Sequence, residues 1–253
     1  MLTTAIDAAR KAGNSILELS TKEIKYSMKN KHDILAEADL ESEKIIINTI
    51  KSKYPNHSFL SEETGEIDGK SDYLWAIDPI DGTINYSRGI EEYCISIALA
   101  KNGKLVLAVV YQPVTDKLYT AEKGKGAFLN GKKIGISKES FAINMLLATD
   151  NSSNITSRAS NFEILSKICT KVRHSRIFGS GALHLARLAE GEIDCYFKKR
   201  FNYWDFAAGT LLVQEAGGIV TDFKNRPIVK NSPDIIASNG KIHDELVKML
   251  NSA

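Results

Sequence analysis

Two stretches within the first 53 residues carry apolar side chains three to four positions apart, the spacing that places them on one face of a helix. The apolar positions of the first stretch are Leu2, Ala5, Ile6, Ala9, Gly13, Ile16 and Leu17. The second stretch covers residues 36–53, with Leu40, Ile47 and Ile50 on its apolar face. The pattern therefore predicts two amphipathic helices, the first of them packed on a sheet.

After residue 57 the pattern changes to short apolar runs, which is typical of strands. The predicted strands cover residues 58–61, 73–77, 94–100, 105–111, 117–121 and 127–129. Asn102-Gly103 and Asn130-Gly131 are hairpin turn signals, so we expect an antiparallel meander here.

After residue 137 the predicted strands alternate with helices, which indicates an α/β arrangement. The strands are predicted at residues 145–149, 175–178, 194–197, 219–222 and 235–238, and the helices at 157–171, 182–190, 204–216 and from 241 onward. We therefore predict an N-terminal α+β half, residues 1–140, and a C-terminal α/β half, residues 141–253. A site between the halves is expected because ligands favour such clefts.

Composition and charge add limits on function. With 43% hydrophobic and 25% charged residues among 253, the chain is expected to be an ordinary globular protein. Lys and Arg number 33 against 31 Asp and Glu, which gives no reason to expect a nucleic-acid partner. The longest apolar run, residues 105–111, is far shorter than the ~20 residues of a membrane span. The three cysteines, Cys94, Cys169 and Cys195, show no metal-site spacing and are expected to be buried thiols in a cytoplasmic protein.

The segment from Asp78 to Thr83 carries the main candidate chemistry. Two carboxylates, Asp78 and Asp81, follow an apolar strand and precede Gly82 and Thr83, which open a short helix. Carboxylates this close repel each other unless a cation lies between them, and such oxygen ligands suit Mg²⁺ or Mn²⁺. The N–H groups of Gly82 and Thr83 suit a phosphate oxygen. A solvated Asp-Pro-x-Asp-Gly turn is the alternative that this segment alone leaves open.

Other acidic residues lie where elements begin or end. Glu62 and Glu63 directly follow a predicted strand, and since adjacent strand residues face opposite ways, one is expected to contact a metal and the other to act indirectly. Asp205 begins a helical run, where interaction with the helix dipole is explanation enough without a metal. Asp39 could equally be an exposed helix residue.

In their order along the chain, these motifs resemble the inositol monophosphatase family, a group of lithium-sensitive, Mg²⁺-dependent phosphatases that includes fructose-1,6-bisphosphatases. The matching stretches are residues 61–63, residues 78–83, the Gly-rich stretch 124–131, residues 179–182 and residues 204–209 followed by 215–218. The resemblance implies a layered αβαβα sandwich and a homodimer. It also implies two to three Mg²⁺ ions, or Mn²⁺, at each site.

The resemblance further implies roles for individual residues. Glu62, Asp78 and the carbonyl of Ile80 would bind one metal; Asp78, Asp81 and Asp205 would bind a second; Glu62 would support a third. Water activated by metal and oriented by Glu62 and Thr83 would attack phosphorus, with Asp39 positioning Thr83. Asp81, Gly82, Thr83 and Asp205 would also contact the substrate.

Substrate choice is less determined. Inositol-specific members of the family have a glutamate seven residues before the aspartate that corresponds to Asp205. This chain has Lys198 at that position, followed by Lys199 and Arg200. A cation would suit a second phosphate, as on fructose 1,6-bisphosphate; the alternative is that these side chains coat a loop. Ser180 and Gly181 are further candidates for substrate contact. The remaining alternatives are 3′-phosphoadenosine-5′-phosphate phosphatase, histidinol-phosphate phosphatase and, in another class, a catalytically idle protein that binds sugar phosphates as a regulator.

Overall fold

A computed structural model describes residues 1–22, 25–30 and 33–252 of the chain. The helices are α1 (Leu2–Ser20), α2 (Glu37–Lys51), α3 (Thr83–Ser87), α4 (Ile155–Ile168), α5 (Gly181–Glu190), α6 (Tyr203–Glu215) and α7 (His243–Asn251). The strands are β1 (Tyr26–Asn30), β2 (Asp33–Ala36), β3 (Ser58–Ser61), β4 (Gly65–Ile67), β5 (Tyr73–Asp81), β6 (Cys94–Lys101), β7 (Lys104–Gln112), β8 (Lys117–Glu122), β9 (Gly126–Leu129), β10 (Lys132–Lys133), β11 (Leu146–Ala148), β12 (His174–Arg176), β13 (Cys195–Lys199), β14 (Ile219–Thr221) and β15 (Asp234–Ser238).

The elements form five layers. The larger sheet has the order β10-β9-β8-β7-β6-β5-β3-β4, with α1 and α2 packed on one face and α5 and α6 on the other. The smaller sheet, β12-β11-β13-β15-β14, covers the opposite side of α5 and α6 and carries α4 and α7 on its outer face. The predicted αβαβα sandwich is confirmed, and the first helix packs on a sheet as expected. The division of the chain at residue 140 stays a prediction.

A row of alanines explains how closely α6 approaches the larger sheet. Cross-strand partners from β5 to β9 are Ala76, Ala98, Ala108, Ala121 and Ala127. All five are buried in the same core cluster as α5 and α6. Since α6 is covered by both sheets, it is apolar around its circumference apart from Thr210 and the residues at its ends. Gly209, in the middle of α6, lies directly against Leu185 of α5.

The structure corrects several predictions. Leu40 is 50% exposed; instead the buried face of α2 includes Asp39, Ser42 and Glu43. Cys169 is exposed at the end of α4, although Cys94 and Cys195 are buried as expected.

The meander from β5 to β9 is antiparallel as predicted, but β3 pairs with β5 in parallel, so the larger sheet is mixed. The β1–β2 hairpin and β4 were not predicted, and the hairpin exposes Tyr26 and Met28, which an apolar pattern cannot distinguish from a loop. Within the described ranges, no helix combines the length and apolar character that crossing a membrane requires.

Candidate active site

The two aspartates of the central motif lie inside β5 and not after it, because the strand continues to Asp81. In the ladder with β6, Asp78 opposes Ser96 and Asp81 opposes Cys94, so three steps on β5 match two on β6. This bulge contains Pro79, which has no N–H for the ladder. Residues an odd number apart on a regular strand face opposite sides, and the extra residue brings both carboxylates to one cavity.

That cavity, of about 440 Å³, is lined by residues from two separate parts of the sequence. The first part contributes Glu62, Asp78, Ile80, Asp81, Gly82, Thr83, Ile84 and Asn85. The second part contributes residues 150–154, Arg158, Gly179, Lys198, residues 200–202 and Asp205. All four acids predicted as metal ligands, Glu62 among them, therefore line one cavity, as do Lys198 and Asp150.

The carboxylates repel one another. Burial raises the pKa of Asp78 well above its usual range, and the charges of Glu62, Asp81 and Asp205 raise it further. Burial raises the pKa of Asp205 to about 7 and that of Asp81 to about 6, although the Lys198 ammonium lowers both. Negative charge at this end of the cavity therefore exceeds what the neighbouring cations neutralise, and a divalent cation would relieve the excess.

Each acid already has hydrogen-bond partners. Asp81 Oδ2 accepts from Ser180 Oγ at 2.7 Å and from the Ala182 N–H at 2.6 Å. Asp205 Oδ2 accepts from the Asn202 N–H at 2.8 Å, which caps α6. Across the part of the chain that the structure describes, no three His, Cys, Asp or Glu side chains are already close enough together to coordinate one ion.

Lys29 of β1 bonds both members of the glutamate pair. Its Nζ donates to Glu62 Oε1 at 2.8 Å and also to Glu63 Oε1. The two glutamates follow β3 in a turn, where strand alternation no longer applies, and both reach the same ammonium. Of the two, only Glu62 is among the described residues that line the cavity, so the expectation that one contacts a metal and the other acts indirectly stays a prediction. Burial alone would lower the pKa of Lys29, but the glutamate charges raise it overall.

Hard carboxylate oxygens and a buried carbonyl are the donors that Mg²⁺ and Mn²⁺ prefer, so this donor set fits the predicted metal. The geometric basis for the fit is that four carboxylates and Ile80 line one cavity, where burial and the neighbouring acids raise the pKa of Asp78. Unlike Asp78, Glu62 has a cation beside it: the ammonium of Lys29 bonds this predicted metal ligand.

Thr83 lies between Asp39 and the strand. Its Oγ1 is 3.1 Å from Asp39 Oδ1 and 3.0 Å from the carbonyl oxygen of Ile80. A hydroxyl has one proton, so it can donate to only one of these acceptors at a time. Asp39 is fully buried and is not an exposed helix residue. Its other oxygen accepts from the Ala36 N–H at the start of α2.

Only glycine fits at position 82 without strain. Its φ of +103° is in the region that favours glycine, and a Cβ there would be 2.8 Å from the Glu92 carbonyl oxygen. Gly82 precedes the first residue of α3 and lines the cavity.

The two predicted substrate residues at the start of α5, Ser180 and Gly181, are not among the described residues that line the cavity. Ser180 is buried, bonds Asp81 and caps α5 by accepting from the Leu183 N–H. Within the described lining, Gly179 contacts the cavity in place of Ser180 and Gly181.

Lys198 is not a surface residue. Its side chain is 13% exposed, and its Nζ is 3.7 Å from Asp150 Oδ2. Asp150, buried two residues after β11, also lies 3.9 Å from His184 Nδ1 through its Oδ2, and burial lowers the pKa of His184 to about 3. Loop coating is therefore wrong for Lys198, whereas Lys199 places its ammonium 4.7 Å from the centre of the Phe223 ring.

Sequence reasoning missed Lys29 and Asn85. The Nδ2 of Asn85 donates to the carbonyls of Glu92 and Phe178, each at 2.7 Å, and so ties two loops together beside the cavity. Its position two residues after Thr83 could have indicated this role. No local pattern marked Lys29, because its partners are more than thirty residues away.

The buried carboxyl of Asp39 predicts a pH-dependent stability in metal-free protein. Burial raises its pKa to about 7, and the charges of Glu62 and Glu63 add to this. An unfolded aspartate titrates near pH ~3.9, so between about pH 4 and 7 the folded protein binds a proton that the unfolded chain lacks. The free energy of unfolding should therefore fall as pH rises through this window and level off above it.

Comparison with Asp39→Asn isolates this group from other titrating residues. In chelator, the wild-type free energy of unfolding minus that of the variant should fall by on the order of 2–4 kcal/mol from about pH 4.5 to 8. Urea unfolding at several pH values measures it. If the free energy of unfolding depends on pH in the same way in both proteins, the pH dependence does not come from Asp39.

Comparisons with known proteins agree with this architecture. A family model described as the inositol monophosphatase family matches residues 1–253. The Nus factor SuhB of Vibrio cholerae is 40% identical over 243 residues, which cover 94% of this chain and 91% of that protein. The fructose-1,6-bisphosphatase/inositol-1-monophosphatase of Thermotoga maritima is 38% identical over 219 residues, covering 87% and 83%. The crystal structure of the extragenic suppressor protein SuhB from Bartonella henselae superposes with a TM-score of 0.94 at 34% identity, covering 99% of this chain and 98% of that one.

Proposed function

Since this chain belongs to the inositol monophosphatase family, we propose that it is a Mg²⁺-dependent phosphomonoesterase that hydrolyses inositol monophosphate or a related sugar phosphate. One observation carries the proposal: four buried or half-buried carboxylates line a single cavity beside the Thr83–Asp39 pair. A catalytically idle protein that only binds sugar phosphates would not need all four carboxylates together with the Thr83–Asp39 pair.

The metal ligands are proposed as the resemblance implies. Glu62, Asp78 and the Ile80 carbonyl would hold one ion, and Asp78, Asp81 and Asp205 a second, with Glu62 supporting a third. Mn²⁺ could replace Mg²⁺ because both prefer oxygen donors. When bound, the metal would lower the pKa of a water molecule and neutralise charge on the phosphate.

The chain's own groups would orient the reactants. The N–H groups of Gly82 and Thr83 would bind a phosphate oxygen. With Asp39 accepting the Thr83 proton, the lone pairs of the Thr83 hydroxyl are free to accept from the attacking water. Glu62 would accept from the same water, which attacks phosphorus in line. Asp205 would orient a second water that returns a proton to the leaving alkoxide.

Lys198 supports a substrate with a second anionic group. Its ammonium is held at the cavity by Asp150, and Arg200 lines the same region. A relative, the Thermotoga maritima protein, is named for both fructose-1,6-bisphosphatase and inositol-1-monophosphatase activity. We therefore propose fructose 1,6-bisphosphate as a second substrate, with 3′-phosphoadenosine 5′-phosphate and histidinol phosphate as alternatives.

Phosphate release from these four substrates, compared with and without Mg²⁺, tests the proposed function. Release from none of them would favour a binding protein. Lys198→Glu is expected to lower kcat/KM for fructose 1,6-bisphosphate about tenfold or more relative to inositol 1-phosphate, because it replaces a charge-assisted contact by repulsion. Lys199→Glu is the matched control and should leave this ratio unchanged, since its ammonium lies over Phe223. An equal loss on both substrates would contradict a selective role for Lys198.

We also propose a cytoplasmic homodimer that is inhibited by Li⁺, on the resemblance alone. Sedimentation of the purified protein and Li⁺ titration of phosphate release would test these two properties separately.

A role as a Nus factor is a second candidate, favoured by the name of the Vibrio cholerae relative. Expression of this chain in Escherichia coli that lacks its Nus factor SuhB tests it, with Asp78→Asn alongside. Complementation by both proteins would assign that role independently of phosphatase chemistry.

A further inference from the structure

The buried polar face of α2 carries three residues that each reach a different part of the candidate site. Asp39, Ser42 and Glu43 occupy positions i, i+3 and i+4, which share one side of a helix. Asp39 bonds Thr83, and Ser42 Oγ donates to the Pro79 carbonyl at 2.9 Å. Glu43, 3% exposed, faces the turn that carries Glu62.

Glu43 collects its donors from one short stretch. Its Oε2 accepts from Ser61 Oγ and from the Glu63 N–H, the latter at 2.9 Å, and its Oε1 accepts from Thr64 Oγ1. These donors lie on both sides of Glu62. The Glu62 N–H itself donates to the Ile77 carbonyl at 3.3 Å, which ties the same point to β5.

We propose that Glu43 is a positioning residue that fixes the turn of residues 61–64 and thereby sets the distance between Glu62 and the aspartates of β5. α2 contacts the bulge through Ser42 and the glutamate turn through Glu43, so one rigid helix holds both parts of the metal site in register. A buried carboxylate that accepts three hydrogen bonds is costly to replace, because its donors would lose their partner. Groups that orient metal ligands typically contribute 10- to 100-fold to metal affinity.

The experiment measures metal binding without substrate, by calorimetric titration of Mn²⁺ into purified protein. Glu43→Met keeps the side-chain volume but removes both acceptor oxygens, and is expected to weaken Mn²⁺ binding about 10- to 100-fold. Glu43→Gln keeps one acceptor oxygen for the Glu63 N–H and should restore much of the affinity. Amide hydrogen exchange at residues 61–64 should be faster in Glu43→Met than in wild type, even without metal.

Glu215→Met is the matched control. Glu215 accepts from the N–H groups of Gly124 and Gly126, and its side chain is 8% exposed, so its loss also removes a buried carboxylate that accepts backbone hydrogen bonds. It should lower the urea midpoint of unfolding but leave Mn²⁺ affinity within about twofold of wild type, because it contacts none of the candidate ligands. Equal losses of Mn²⁺ affinity in Glu43→Met and Glu215→Met would show that Glu43 contributes only to stability and does not position Glu62.

Thr64→Val removes one donor from the exposed end of the same turn and stays informative if Glu43→Met does not fold. Its expected effect is a two- to fivefold weaker Mn²⁺ affinity, a fraction of the effect of losing the whole acceptor. Unchanged Mn²⁺ affinity in Thr64→Val, or in a folded Glu43→Met, would overturn the proposal. The inference rests on the proposed metal site: absence of Mn²⁺ binding by wild type defeats the proposed function, whereas normal wild-type binding with unaffected variants defeats only the role of Glu43.

Discussion

Asp78→Asn should abolish most Mg²⁺-dependent phosphate release, by roughly 10³-fold or more, while leaving the protein folded. Asparagine has nearly the same shape but no charge, so it cannot neutralise two cations. The same change should raise the free energy of unfolding of metal-free protein, since burial and four neighbouring acids disfavour the charged form of Asp78. Phosphate release and urea unfolding in chelator measure the two effects.

Asp222→Asn is the matched control for this prediction. Asp222 is also buried, but it accepts from the Lys224 and Arg226 N–H groups in a loop that does not line the cavity. Its loss should lower stability and leave kcat near the wild-type value, the reverse pattern of Asp78→Asn. Phosphate release by Asp78→Asn within about tenfold of wild type would reject the proposed role of Asp78 as a ligand of both ions.

The contact between α5 and α6 predicts the largest loss of stability, from Gly209→Ala. A Cβ at Gly209 would be 2.6 Å from Leu185 Cδ1 and closer still to Leu185 Cβ, so the helices would have to separate. Overpacking of this kind costs about 1–3 kcal/mol or more, which exceeds the ~1 kcal/mol that alanine gains over glycine in a helix. We expect a net loss of about 2 kcal/mol, or a fall of roughly 4–8 °C in the unfolding midpoint.

Activity should fall with stability in Gly209→Ala, because the start of α5 holds Asp81 and the start of α6 carries Asp205. Gly13→Ala in α1 is the comparison: its Cβ would meet the ring edge of Tyr111, which can turn away more easily than Leu185 Cβ. It should cost less and leave the active site intact. Calorimetry and urea unfolding measure both variants, and a neutral Gly209→Ala would contradict the tight contact inferred here.

Local patterns predicted the layers and the acidic motifs well, because strand and helix periodicity and turn chemistry act over a few residues. They placed Asp78 and Asp81 near the end of a strand and Asp205 near the start of a helix, and all three line one cavity. The bulge in β5 was not predictable, since it depends on pairing with β6 and not on the sequence of β5 alone.

The buried face of α2 was predicted correctly at Ile47 and Ile50 but incorrectly at Leu40, for a physical reason. Hydrophobicity placed Leu40 inside and gave no reason to bury Ser42 or Glu43, yet the polar residues are inside because they find hydrogen-bond partners there. A polarity pattern reflects the cost of burying a polar side chain but not the hydrogen bonds that offset this cost. Long-range partners such as Lys29 for Glu62 are invisible to it for the same reason.

The bond between Lys29 and Glu62 has a consequence for how the site fills. An ammonium already engages one carboxylate oxygen of Glu62, so at the proposed metal position a divalent ion would compete with Lys29 for the same carboxylate. Ion uptake there would weaken the bond between Glu62 and Lys29 of β1. In metal-free protein, Lys29 thus serves as a local counter-ion for both glutamates of the turn.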